Sequence, residues 1–448
     1  MFSKLRELRT RISSEQTLRR LFTGGGWAFS GKFLSAFIAL GTNALLARML
    51  MTEEFGAYFL VFTFVNIAGM VALLGMNDAV VKIVAESIGD NKEGRAKRAI
   101  GISFIYCCAC SAVISLLVSF GLGEWLAERV FNSQELKSVV RLSAIWIFLF
   151  SIQLLVSEVY RGFHDIRSAV LFRGILSNSL TIAVFLFFLL SNRTLDLHEV
   201  VSINICSLIL SNSIGILALL KRTGRITDKT SIGYGDMFSL GIPLWITNIS
   251  MLLLIRTDIL ILGAFASQDE VAIYGALAKI VFLVAVPLVI ANTFIPPIIA
   301  DLYAKKDTAR LERVLRSEST ILIFVTVLVS LPLFLAGEEL LELIYGSFFG
   351  QGATALSILC IGRIVSALTG SCGQCMIMTG HGKEMMYITV STGILTILAA
   401  SMMAKYFGFV GVAIAYASGS CTQNITQLLF VKRKLGIWTI PSFRIQLS

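Results

Sequence analysis

Long apolar runs follow one another along this chain with only short polar links between them, and that succession decides what it can fold into. A helix needs about 20 apolar residues to cross the hydrocarbon core of a bilayer, and only structures that satisfy their own backbone groups can do so. Twelve such runs fall at 22–47, 55–85, 99–123, 139–160, 169–191, 199–220, 238–265, 270–300, 318–337, 353–379, 385–405 and 408–431. Each is continuously apolar, whereas barrel strands alternate over about 10 residues. The chain is therefore predicted to be an all-α integral membrane protein of twelve transmembrane helices. Only 15% of its 448 residues are charged, against about 25% in soluble domains. The links leave no room for a large domain outside the membrane.

Residues 1–21, MFSKLRELRTRISSEQTLRRL, do not read as a cleavable signal, because the run behind them is too long and lacks a small-residue cleavage site. Phe2, Leu5, Leu8 and Ile12 share one helical face, with Lys4, Arg6, Arg9 and Arg11 largely off it. That pattern predicts a basic amphipathic segment on an anionic leaflet. Lys and Arg collect in cytoplasmic loops. With the N-terminus inside, 27 of the 38 basic residues fall in inside segments, among them Lys92, Arg95, Lys97 and Arg98 after run two and Lys305, Lys306, Arg310, Arg313 and Arg316 after run eight. Outside segments hold six: Arg48, Arg129, Lys137, Arg141, Arg193 and Lys405. This predicts a multi-pass protein of the cell (inner) membrane with both termini cytoplasmic. It also accounts for the net charge of +10 without nucleic acid.

The longest link, KRTGRITDKTSIGYGD at 222–237, divides the chain into lobes at 22–221 and 238–431, with a tail at 432–448. The lobes look like repeats. ARMLMTEEFGAYFLV (47–61) matches GAFASQDEVAIYGAL (263–277) at an offset of 216, and GMNDAVVKIVAE (75–86) matches IANTFIPPIIAD (290–301) after one gap, pairing Asn77 with Asn292. Internal repeats are the usual construction of secondary transporters. Six helices per lobe give both lobes one orientation, so their pseudo-two-fold axis is expected along the membrane normal, with the substrate path between them.

The acidic turn followed by G-A-Y or A-I-Y after runs one and seven, the D-I-L-I-L-G run at 258–263, TGHGKEMMYITVSTGILTIL (379–398) and GFVGVAIAYASGS (408–420) carry a family resemblance. Together they look like the polysaccharide transporters of the MOP (multidrug/oligosaccharidyl-lipid/polysaccharide) exporter superfamily. The resemblance spans nearly the whole chain through diffuse motifs. It implies a MATE-like, two-lobed flippase that moves undecaprenyl-diphosphate-linked oligosaccharide to the outer leaflet for surface polysaccharide or lipopolysaccharide synthesis, and it implies no enzyme. Its expected partners are the lipid-linked oligosaccharide, anionic lipids, a polysaccharide polymerase and glycosyltransferases. Related peptidoglycan-precursor flippases carry two further C-terminal helices; no apolar run follows residue 431.

Charges inside the runs mark the candidate site. A charged residue at mid-bilayer costs at least about 2.5–3.5 kcal/mol and is functional by default. Lys32, Arg256, Lys279 and Arg363 are such bases. A lipid diphosphate needs cations to replace lost water, and Arg supplies a bidentate fork where Lys supplies a point charge. In run one, Lys32, Ser35, Ala39 and Thr42/Asn43 recur at helical spacing, a polar face expected to line the cavity. Arg256 and Asp258, at i and i+2, cannot face each other; Asp258 is expected to position run seven against a neighbour. Asp78, Lys82 and Glu86 repeat at i, i+4, i+8 and can pair among themselves, in a structural or coupling role. Pro243, Pro287, Pro296, Pro297 and Pro332 bend helices.

Other motifs carry less. Cys372-Gly-Gln-Cys375 has metal-like spacing without a second pair, and buried free Cys behaves as a small hydrophobe, so no metal is expected. No G-x-x-x-x-G-K-[ST] is present for ATP. No cofactor is expected; coupling to a proton or a sodium gradient stays open. The competing functions are a cation-coupled multidrug exporter of the same superfamily, which would favour buried carboxylates, and a polysaccharide synthase, which would need a large catalytic loop.

Overall fold

In a computed structural model, which describes residues 33–224, 226 and 232–441, every regular element is helical. The order is α1 Phe33–Met49, α2 Thr52–Ala72 and α3 Met76–Gly89, α4 Glu93–Val130, α5 Val140–Gly162, α6 Ile166–Leu190 and α7 Leu197–Gly224. The second half repeats it with α8 Tyr234–Phe265, α9 Gln268–Ala304, α10 Thr308–Leu335, α11 Ala353–Thr369, α12 Cys372–Met378 and α13 Gly382–Leu435. A bend at Gly408, φ 54°, divides α13 into two passes. With α2–α3 and α11–α12 each forming one broken pass, the chain makes twelve passes in two lobes of six. Residues 1–21 and Gly24–Gly26 lie outside the described residues.

Two passes expected as single helices are broken. The run 55–85 turns at Leu73–Gly75, where Leu74 has φ 45° and Gly75 φ 75°. The run 353–379 breaks at Gly370, φ 64°, and Ser371. Glycine tolerates this left-handed backbone without a Cβ clash, and hydropathy alone does not register it. Side chains fix helix starts: the Asp165 and Asp307 carboxylates accept the backbone N–H of Ser168 and Arg310 at 3.1 and 3.0 Å, serving donors that the helix leaves open. The prolines of α9, at 287, 296 and 297, lie within the helix, which runs on to Ala304.

The two ends of the molecule differ. At the end bearing the α1–α2 and α8–α9 turns, one apolar core spans both lobes, joining Phe55, Phe59 and Leu60 of α2 with Ile259 and Leu262 of α8, Ile273 and Leu277 of α9, and Val412 of α13. Close approach is possible because glycines sit at the crossings. A Cβ on Gly56 would lie 2.0 Å from the Gln268 carbonyl oxygen, and one on Gly275 would lie 2.3 Å from the Phe59 ring. Arg48 donates to the Leu343 carbonyl at 2.5 Å, and Gln268 to that of Phe131 at 3.3 Å. In a bilayer such packing, not exclusion of water, holds helices together. We call this the closed end.

At the opposite, basic end the lobes keep separate cores, one around Val84, Leu155 and Val159 and one around Ile299, Leu315 and Met376. Among the described residues, α8 crosses over. Its first turns pack Met237 on Met76, Ala79 and Ile83. Trp245 donates to the Val71 carbonyl at 3.1 Å, and a Cβ on Gly75 would lie 2.0 Å from the Gly241 oxygen.

Candidate functional site

Three helices of the C-terminal lobe bring the intramembrane charges together. Asp258 is fixed first: its Oδ1 accepts the Ile259 N–H at 2.8 Å and its Oδ2 accepts the Tyr274 hydroxyl of α9 at 3.3 Å. Arg256, two residues earlier, turns to another side, where Lys279 of α9 is its electrostatic neighbour. Arg363 of α11 stands within electrostatic range of Asp258 and Tyr274. Arg363 is exposed although Tyr274 and Cys360 beside it are buried, so it borders an internal opening. Among the described residues, Arg256, Lys279 and Arg363 form no ion pair with a carboxylate. Three bases beside one acid leave a net charge of two positive, an arrangement that suits a dianion.

The N-terminal lobe supplies the opposite wall. A cavity of about 70 Å³ is lined by Thr42 and Asn43 of α1, Phe62 of α2, Gln153 of α5, Asn178 of α6, Asn204 of α7 and Lys279. Asn43 donates to the Ala39 carbonyl at 2.6 Å, while its Oδ1 is buried without a partner. Gln153 donates to Ser177 at 2.8 Å. Lys279 lies 4.8 Å from the Phe62 ring centroid and 5.7 Å from that of Phe59, a cation–π arrangement. Among the described residues the cavity thus has Lys279 on one side, with Arg256 near it, and amides, hydroxyls and aromatic rings on the other.

The structure unites Asn43, Arg256, Asp258, Lys279 and Arg363. Lys32 lies outside the described residues. Asp78 and Lys82 sit elsewhere, toward the basic end, and do not pair with each other. Asp78 accepts from Asn77 at 2.8 Å and from Asn248 of α8 at 2.6 Å, and faces Arg161 at 3.7 Å. Arg161 also holds the buried Glu158 at 2.8 Å, which Arg173 meets from its other side. Glu86 goes to Arg95 at 3.6 Å, and Lys82 is exposed. The i, i+4 expectation fails because tertiary partners on α5 and α8 take the carboxylate. Among the described residues no group of His, Cys, Asp and Glu converges as a metal site.

A family model described as polysaccharide biosynthesis protein matches residues 21–303, well over half of the chain. The chain belongs to this family. A second model, MatE, matches 243–402. A relative from Shigella flexneri, named "Putative O-antigen transporter", is 24% identical over 404 residues, covering 87% of this chain and 93% of its own. Among solved structures, an inward-facing multidrug resistance MATE family transporter of the MOP superfamily aligns with a TM-score of 0.73 at 16% identity, over 89% of this chain and 94% of that one. The lipid II flippase MurJ, in an inward closed conformation, aligns at 0.67 and 12% identity, over 90% and 87%. At such identities the structures establish the shared fold: twelve helices in two lobes. A polysaccharide transporter of the MOP superfamily is a carrier and not an enzyme.

Sequence reasoning named the α1 part of the neutral wall, Thr42 and Asn43, and missed the rest. Gln153, Asn178 and Asn204 are polar residues inside apolar runs, and Asn204, Ser207 and Ser211 recur at helical spacing, all buried. That stripe on α7 was a readable signal.

Proposed function

We propose that this family member is a flippase that carries undecaprenyl-diphosphate-linked oligosaccharide from the cytoplasmic to the outer leaflet by alternating access. The observation that carries this reading is the trio Arg256, Lys279 and Arg363, which among the described residues form no ion pair with a carboxylate, and of which Lys279 lines the cavity. A cation inside the membrane without a counter-charge is costly unless a ligand supplies one. A diphosphate brings two negative charges. The amides and hydroxyls opposite, with the orphan Asn43 Oδ1, suit sugar hydroxyls, and the aromatic rings suit their apolar faces. In this reading the basic end is cytoplasmic by the distribution of Lys and Arg, both termini lie in the cytoplasm of an inner-membrane protein, and the closed end faces outward. The basic segment 1–21 meets anionic lipid. Glycosyltransferases deliver the substrate and a polymerase receives it.

A second reading, export of organic cations, draws on Asp258 and on the MatE match over 243–402. Proteoliposomes separate the two. With purified undecaprenyl-diphosphate oligosaccharide in the bilayer, the protein should make the glycan accessible to an external glycosidase. Uptake of a cationic dye together with no glycan movement would assign the chain to the second reading.

A further inference from the structure

Glu318 of α10 is only 9% exposed, and the cavity does not use it. Its Oε1 is in hydrogen-bond contact with the Ser371 hydroxyl. The same Ser371 Oγ lies 2.8 Å from Asn292 Oδ1 of α9. The second carboxyl oxygen, Oε2, is buried without any partner. Ser371 is the break between α11 and α12, where Gly370 has φ 64°, and the carbonyl freed there, that of Thr369, is taken by the Thr439 hydroxyl at 2.6 Å. So the segment after α13 folds back to seal this site.

Hydrogen counting allows this chain of three atoms two arrangements. The chain Oε1–Oγ–Oδ1 has two contacts and needs two hydrogens. Ser371 brings one. With Asn292 Oδ1 toward Ser371 the other comes from Glu318: a carboxylic acid donates to Ser371, and Ser371 donates to Asn292; the Ser371 backbone N–H also stands toward this carboxyl. If the Asn292 amide turns over, its Nδ2 donates to Ser371 and Ser371 donates to an ionised carboxylate. One amide flip therefore serves both protonation states. At hydrogen-bond distance the oxygens leave no gap for a metal ion.

The surroundings agree. From α9 the group meets Asn292; from α12 the titratable neighbours are Cys372 and Cys375; α13 brings Gln427 beside Cys372, and the final segment brings Thr439. None of these is a base. On α10 itself the nearest base, Arg316, pairs with Glu312 at 3.3 Å. The contrast with the other lobe is sharp, since Asp78 and Glu158 there are matched by Arg161 and Arg173. At the repeat offset of 215 that joins Asn77 to Asn292, Glu318 falls on Ser103, whose hydroxyl merely returns to the Ala99 carbonyl. The repeated fold does not need the carboxyl.

We propose that Glu318, Ser371 and Asn292 form a proton-binding site in the C-terminal lobe, and that its loading and unloading drive the transport cycle. The proton binds Glu318 Oε1 and leaves from the same atom, so no other group changes charge. The site itself stands apart from the flippase reading; only the driving role rests on it. The test is infrared difference spectroscopy of the full-length protein in lipid nanodiscs as pH is raised. The wild type should lose the carbonyl stretch of a protonated carboxyl, and Glu318→Gln should lack that band. Ser371→Ala should keep the band but shift its frequency and its midpoint. Wild-type and Glu318→Gln spectra that coincide would overturn the site. Should Glu318→Gln fail to accumulate, a Ser371→Ala spectrum that matches the wild type would overturn it equally. In cells, Glu318→Gln should abolish surface glycan at normal abundance and Glu318→Asp should retain part; full display in Glu318→Gln would overturn the driving role. Deleting the gene without effect on glycan would sink the flippase reading and leave the spectroscopic result standing.

Discussion

Replacing Gly56 by Ala should open the closed end. The added Cβ would stand 2.0 Å from the Gln268 carbonyl oxygen and 2.8 Å from its carbon, and both are backbone at the start of α9. No side chain can swing aside, so α2 must move off α9 by more than an ångström. Overpacking of this kind costs about 1–3 kcal/mol. At about 1.4 kcal/mol per tenfold, the closed arrangement should lose about 5- to 150-fold in population relative to an open one. Gly275→Ala meets the Phe59 ring at 2.3 Å, a side chain that can turn, and should do less. Gly41→Ala has nothing within 4 Å and serves as the control. The readout is native. Cys360 is fully buried in the shared core of the closed end, whereas Cys107 is fully buried in the core of the N-terminal lobe at the basic end. Peptide mass spectrometry after maleimide treatment reports each thiol separately. In Gly56→Ala, Cys360 should react faster while Cys107 stays protected. Equal rates at Cys360 in Gly56→Ala and Gly41→Ala would refute the reasoning, and faster reaction at both thiols would mean general unfolding instead of opening.

Other outcomes follow from the charges. Arg256→Ala should reduce glycan export without lowering abundance, while Asp258→Ala should lower abundance, because the Tyr274 hydroxyl and the Ile259 N–H lose their acceptor at about 1–3 kcal/mol for a buried unsatisfied group; the reverse pattern on immunoblots and glycan stains would show that the two roles are exchanged. Arg363→Ala should abolish export and Arg363→Lys should keep part of it, and normal display in the Ala variant would remove Arg363 from the substrate path. Asp269→Cys should react with an impermeant thiol reagent on intact cells and Lys229→Cys should not, and labelling at 229 would invert the proposed topology.

The passes were legible because a bilayer imposes its own length on the sequence, and the intramembrane bases were legible because such charges are rare. What escaped were features set by distant partners. The break at Leu73–Gly75 lies in an unbroken apolar run, and its reason is a close approach to Gly241 on α8, 166 positions away. Asp78 and Lys82 have ideal helical spacing, yet Arg161 and Asn248 take the carboxylate. Glu318 is the first residue of run nine, two positions after Arg316. It is buried only because α12 and the segment after α13 close over it, and no local pattern announces that.

The uneven walls of the cavity bear on how an empty carrier closes. All three described cations belong to the C-terminal lobe, and the facing wall is neutral among the described residues. Cations on both walls would repel whenever the lobes met without substrate. Here the closing wall offers Lys279 the rings of Phe62 and Phe59 at 4.8 and 5.7 Å. A cation–π contact contributes about 0.5–2 kcal/mol, enough to shelter the ammonium and less than a charge-assisted bond to phosphate. On the proposed function, the aromatic wall is a placeholder that an arriving diphosphate displaces. Since Phe59 and Phe62 lie on α2, beside the Gly56 crossing that locks the closed end, loss of that contact on binding acts on the same helix whose movement opens the exit.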